Sequence, residues 1–250
     1  MTPSNTWRGF VMLTVAALAV IAVLVSLGNW QVRRLSWKTA LIATVNERIV
    51  EPARPLPPPR QWQSLNPEAT DYSAVTLTGH FLGRREFHVF ANLAEPKGKM
   101  GGVGWWVFAP FQLQDGGIVF VNRGFVPDQM KDPSTRPEPA TVGDMTLSGI
   151  LRRPEGRNVF TPADLIDRNQ WFTRDPLPMA AALGLKPDSV LPFYVDADAH
   201  ATPPSGLPQG GETVVNFPND HLGYAITWYG LALACAGVYL ALVWRRRGVS

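Results

Sequence analysis

The chain has 250 residues, 46% of them hydrophobic, with nine tryptophans and a formal net charge of only +3. Its basic residues are scattered apart from Arg245-Arg246-Arg247, and no basic stripe with interleaved aromatics occurs, which argues against nucleic acid as a partner. The single cysteine, Cys235, rules out an intrachain disulfide framework, a Cys-x-x-Cys redox or metal site and thiol-based copper delivery.

Apolar residues concentrate at the two ends. Phe10 to Leu27 is an uncharged run of 18 residues between Arg8 and Arg33-Arg34, which meets the length of a spanning helix. A secretory signal peptide is the competing reading. The run is longer than a usual signal core and no small-x-small cleavage site follows before Trp30, so an uncleaved anchor is expected. A longer Arg/Ser-rich leader is missing, which points away from a mitochondrial presequence and towards a bacterial protein.

Trp30, Trp37, Leu41 and Thr44 or Val45 recur at helical spacing among charged residues, so the helix is expected to run out of the bilayer to about Ile49. Trp30 and Trp37 then lie at headgroup level as interfacial anchors. Glu51 to Arg60 holds five prolines and reads as a linker.

From Tyr72 to about Asp198, short extended runs are punctuated by Gly, Pro and Asp. Strands are expected near Val75 to His80, Glu86 to Asn92 and Val103 to Leu113. The turn Asp115-Gly116-Gly117 joins the last of these to the buried run Ile118 to Val121 as a hairpin. Met145 to Leu151 and Phe193 to Asp196 are further strands, and Leu177 to Leu183 is a short helix opened by Pro176 and closed by Gly184. Thr202 to Gly211 reads as a loop and Glu212 to Phe217 as a last short strand or an extended lead into the second span.

His221 to Trp244 contains 24 residues without a formal charge, and at about 1.5 Å rise each it can cross a bilayer. Pro218 disfavours helix at Phe217, while Asn219 or Asp220 can cap the first turn, so His221 belongs near the membrane surface. The resulting architecture is an α+β membrane protein in which two transmembrane helices flank a mainly antiparallel β periplasmic domain. Its parts are an N-terminus 1–9, a first span 10–29, a domain 30–220, a second span 221–244 and a basic tail 245–250. Charge gives conflicting orientations, because Arg33, Arg34 and Lys38 outnumber Arg8 around the first span. The Arg245-Arg246-Arg247 cluster is given more weight, since long domains translocate largely regardless of charge, and places the termini in the cytoplasm.

No catalytic constellation emerges. His80, His88, His200 and His221 form no metal-binding pair, and neither a nucleophile elbow nor a phosphate-cradling loop occurs. His80 and His88 fall on strands and read as structural. Arg123, in Asn122-Arg123-Gly124-Phe125-Val126-Pro127, admits two readings: a turn residue paired to a carboxylate, or a fixed cation for a propionate or a partner protein.

Gly28-Asn29-Trp30-Gln31-Val32-Arg33-Arg34, Asn122 to Pro127 and Pro218 to Trp228 together resemble the SURF1 family of cytochrome c oxidase assembly factors. Gly104 to Pro110 agrees, as does Leu151-Arg152-Arg153-Pro154-Glu155 with Trp171 and Asp175. Asp220 stands where many members carry asparagine, and Phe125 and Phe172 stand in place of the commoner tryptophans. The resemblance covers nearly the whole chain, with a span at each end.

It implies a bacterial inner-membrane protein that is not an enzyme, helps to build subunit I of haem-copper terminal oxidases and binds haem a in transit. His221 is the implied ligand to the haem iron. The cofactor-binding set is His221, Tyr224, Trp228 and Arg123, the last meeting propionates. Subunit I is the implied partner, with haem a synthase and a second copy of the chain as further candidates, all within membrane lipid. On a helix, His221, Ala225, Trp228 and Ala232 share one side, so small residues leave room for a flat ring beside one aromatic wall, or else this face packs on the first span. A haem-free scaffold for subunit I and a membrane-anchored periplasmic enzyme are the competing functions.

Overall fold

The computed structural model describes residues 3–83, 85–137, 143–213 and 219–247. The chain divides into two compact units, Met1–Val45 with Asn216–Ser250, and Asn46–Val215.

The first unit is built on two helices. Helix α1 runs unbroken over Pro3–Val50, because no proline follows Pro3 until Pro52 and the sequence is rich in Ala, Leu and Val. Its 48 residues reach about 72 Å, more than twice a hydrocarbon core, so the helix outlasts its apolar run as expected. Both α1 and the C-terminal helix, His221–Arg247, are long and apolar enough to cross a membrane. Large side chains along the C-terminal helix, Leu233 and Leu240 among them, stay uncovered, which suits lipid and not the core of a soluble domain.

The two helices run antiparallel. Contacts climb one helix as they descend the other: Arg246 lies over the Phe10 ring, Tyr239 donates to Thr14 Oγ1, Tyr229 donates to Asn29 Oδ1, and His221 meets Gln31. The Thr14 hydroxyl passes its own proton to the Phe10 carbonyl, so it accepts from Tyr239 without leaving a donor unpaired.

The second unit carries helix α2 (Pro67–Thr70), capped by the Asn66 carboxamide, and helix α3 (Pro176–Ala182), capped by Asp175; the C-terminal helix is therefore α4. Its strands are β1 (Arg54–Pro55), β2 (Ala74–Phe81), β3 (Phe87–Leu93), β4 (Gly102–Leu113), β5 (Ile118–Pro127), β6 (Met145–Arg152), β7 (Gln170–Trp171) and β8 (Val190–Ala197). They form one sheet in the order β1-β2-β6-β8-β5-β4-β3-β7. A further antiparallel pairing of Gly79–Phe81 with Phe111–Leu113 joins β2 to β4 and closes a five-stranded mixed barrel. Only β1–β2, β3–β7 and β5–β8 pair in parallel.

Burial explains the strand sequences. β2 alternates between covered and partly exposed residues, as a strand with one apolar face should. β4 and β5 are buried almost throughout because both faces are covered. Leu77, Phe111, Val119, Val121, Leu151 and Val195 pack together in one core cluster, while Phe87, Phe108, Phe120, Trp171 and Tyr194 pack with Met179 of α3 in another.

Three expectations change. The proline-rich segment is more than a linker: its end forms a short helix, Pro59–Ser64, whose Trp62 is buried in the first core cluster and donates to the Pro57 carbonyl at 2.8 Å. Asn122 to Pro127 is not a turn after the hairpin strand but its continuation. Gly124 makes this possible, since its φ of 132° and lack of a Cβ let the backbone pass the Gln209 carbonyl, where a Cβ would stand only 2.1 Å away. Glu212 and Thr213 are not strand, and residues 214–218, including the Pro218 break, lie outside the described residues.

Candidate functional site

His221 is the first residue of α4, and the Asp220 carbonyl accepts from the Tyr224 N–H to open the helix. The imidazole is half-buried and its Nδ1 lies 2.7 Å from Oε1 of Gln31 on α1. A carboxamide oxygen can only accept, so the ring donates Nδ1–H, which in the neutral imidazole places the lone pair on Nε2. Gln31 is 8% exposed, which shields this bond from competing water.

Small residues bring the helices this close. A Cβ on Gly28 would stand 2.6 Å from the Tyr229 ring, so only glycine admits that ring, whose hydroxyl then reaches Asn29 at 2.7 Å. On α4, Ala225 and Ala232 are 2% and 5% exposed, so this stripe is filled. The room expected beside Ala225 and Ala232 is therefore taken by helix packing. Successive helix residues are turned by about 100°, and Tyr224 falls on the other flank of His221, 57% exposed, with Trp228 half-buried between the two sides.

The Asn219 side chain does not make the cap expected of it or Asp220: its Oδ1 is buried and has no hydrogen-bond partner among the described residues, two residues before the imidazole. An imidazole whose Nε2 is not engaged by Gln31, beside an open flank of Tyr224 and Trp228, fits a flat apolar ligand such as haem. The residues that would hold it are His221, Tyr224 and Trp228.

Arg123 belongs to the other unit, on β5. It is 9% exposed, its Nη1 donates to Glu86 Oε1 at 3.2 Å, and its guanidinium stacks over Phe81. Glu86 also receives Arg136, and His88 lies against its second oxygen at 3.4 Å. Burial alone would raise the Glu86 carboxyl, but hydrogen bonds from His88 and Arg136 and the charges of Arg136 and Arg123 hold it below the usual range. Burial depresses Arg123, with Glu86 opposing that shift and Arg136 adding to it. Of the two readings of Arg123, the structure supplies the carboxylate partner.

A second buried web uses the neighbouring motif residues. Arg152 donates to Asp71 at 3.2 Å, to Asp196 at 3.4 Å and to the Tyr72 hydroxyl at 3.1 Å, and Asn122 donates to Asp196 at 2.7 Å. Asn122 and Arg152 thus tie β5, β6 and β8 together at the barrel wall. Sequence reasoning did not find Gln31 as the partner of His221, nor Glu86 and Arg136; the 190 residues that separate Gln31 from His221 leave no local signal.

The sequence profile described as the SURF1 family matches residues 18–233. Surfeit locus protein 1 of Mus musculus is 35% identical over 239 residues, which cover 92% of this chain and 75% of that protein. The Homo sapiens protein of the same name is 36% identical over 220 residues, 83% of this chain and 70% of its own length. A SURF1-like protein of Monosiga brevicollis is 34% identical over 246 residues, with 93% and 87% covered.

Proposed function

The chain belongs to the SURF1 family, a membership that implies a role in cytochrome c oxidase assembly, and on that premise we propose that it binds haem a at His221 and aids its insertion into oxidase subunit I. The observation that carries this reading is the hydrogen bond from His221 Nδ1 to the buried Gln31, which leaves Nε2 as the ring nitrogen free to ligate. When bound, haem a would supply an iron that the His221 imidazole would hold. His221 ligates, Tyr224 and Trp228 provide an apolar wall on its open flank, and Arg123 serves the barrel through Glu86 instead of meeting a propionate.

The exposed Arg245-Arg246-Arg247 end of α4 supports a cytoplasmic tail, and hence a periplasmic sheet unit in a bacterial inner membrane. Subunit I is the proposed partner, with haem a synthase upstream as supplier. A second reading, a haem-free scaffold for subunit I, is favoured by the filled Ala225 and Ala232 stripe, which leaves no slot for a ring on that face. Absorption spectra separate the two. Protein purified from cells that make haem a is expected to show a Soret band that His221→Ala loses, whereas co-purified subunit I without stoichiometric haem supports the scaffold.

A further inference from the structure

Asn29 and Gln31 face α4 from the end of the first span, and each makes one hydrogen bond to it. Their contacts differ in kind. The Tyr229–Asn29 bond joins a phenol to a carboxamide, and neither group has another use for the valence. The His221–Gln31 bond occupies one ring nitrogen of a residue that has two, and by its direction decides what the other nitrogen can do.

We propose that Gln31 is the positioning residue of the haem site: its Oε1 holds the His221 proton on Nδ1 and thereby presents an unprotonated Nε2 as the ligating atom. The inference rests on the reading of His221 as a ligand and adds what that reading lacks, the cause of the correct tautomer. The geometry supports it in three ways. The 2.7 Å separation is a full hydrogen bond, with an oxygen, which cannot donate, facing the ring. Gln31 is buried, which restricts the access of competing water to its side of the bond. The close helix approach at Gly28, one turn before Gln31, fixes the distance between the helices and hence the reach of the carboxamide. Outer-shell acceptors of this kind set both tautomer and ring orientation in ligating histidines.

The test uses full-length protein in lipid nanodiscs with 15N-labelled histidine, the His221 signals being assigned by their loss in His221→Ala. Wild-type protein is expected to carry its proton on Nδ1, Gln31→Leu to move it to Nε2, and Gln31→Glu, which keeps an oxygen acceptor in place, to retain it on Nδ1. Tyr229→Phe, which loosens the helix pair without touching Gln31, is expected to leave the tautomer unchanged. In haem-loaded protein Gln31→Leu should weaken haem retention about 10- to 100-fold, the usual effect of losing an outer-shell partner, and Gln31→Glu should not. A wild-type proton on Nε2, or an Nδ1 proton that survives Gln31→Leu, overturns the role of Gln31. Equal haem retention by wild type and Gln31→Leu overturns it as well while leaving His221 as the ligand, and a wild-type protein that holds no haem overturns the reading beneath it.

Discussion

Arg123 and His221 stand in motifs of similar prominence, yet the polar chemistry around them is of opposite kinds. In the sheet unit, buried charges are gathered into webs in which each cation faces carboxylates: Arg123 and Arg136 on Glu86, Arg152 on Asp71 and Asp196. In the helix unit the side-chain hydrogen bonds that join the two helices are single and uncharged among the described residues, Tyr239 to Thr14, Tyr229 to Asn29 and His221 to Gln31, with one cation, Arg246, stacked on the Phe10 ring. A web of buried, mutually paired charges fixes a fold. A single hydrogen bond that leaves its donor with an unused nitrogen can fix a site.

Breaking the webs should therefore cost most. Glu86→Ala leaves Arg123 and Arg136 buried without their carboxylate, a loss of about 3–5 kcal/mol for the sheet unit, to be read by denaturant unfolding monitored through near-ultraviolet dichroism. The same carboxyl sets an acid limit. Because its folded pKa lies below the unfolded value of about 4.3, its contribution is complete above that value and disappears as pH falls through the folded one. Glu86→Gln should flatten that part of the acid unfolding curve.

Loosening the helix pair should cost less. Gly28→Leu drives a side chain into the Tyr229 ring and is expected to destabilise the pair by about 1–3 kcal/mol, seen as a lower thermal midpoint of helix association in detergent. Tyr229→Phe removes only the bond to Asn29 and should cost about 0.6 kcal/mol, the average for interhelical hydrogen bonds in a membrane. If Tyr229→Phe cost as much as Glu86→Ala, the contrast between the two units would fail.

The sequence carried some of this plainly and hid the rest for definable reasons. Alternation in β2, the Asp115-Gly116-Gly117 turn and the Pro176 to Gly184 helix are local signals, and the elements lie where they predict. The far end of β5 was hidden because Gly124 and Pro127 are breakers in most settings, whereas here the glycine's positive φ carries the strand past Gln209. Trp62 was hidden by its proline neighbours, although its burial in the first core cluster is what holds that segment on the barrel. Closure through β2 and β4 is a non-local pairing that no periodicity announces. At the site, His221 was legible from its place at the head of an apolar run. Which flank of it stays open was not, since the Ala225 and Ala232 stripe suits a ring and a helix equally well, and in the fold that stripe is buried.

The central claim is tested most directly by the haem a content of full-length protein purified from cells that make haem a but lack oxidase subunit I, so that no bound haem can come from the oxidase itself. Stoichiometric haem in the wild type, lost in His221→Ala with helix content unchanged, is the predicted result. A wild-type protein without haem, or a His221→Ala protein that keeps it, would contradict the account.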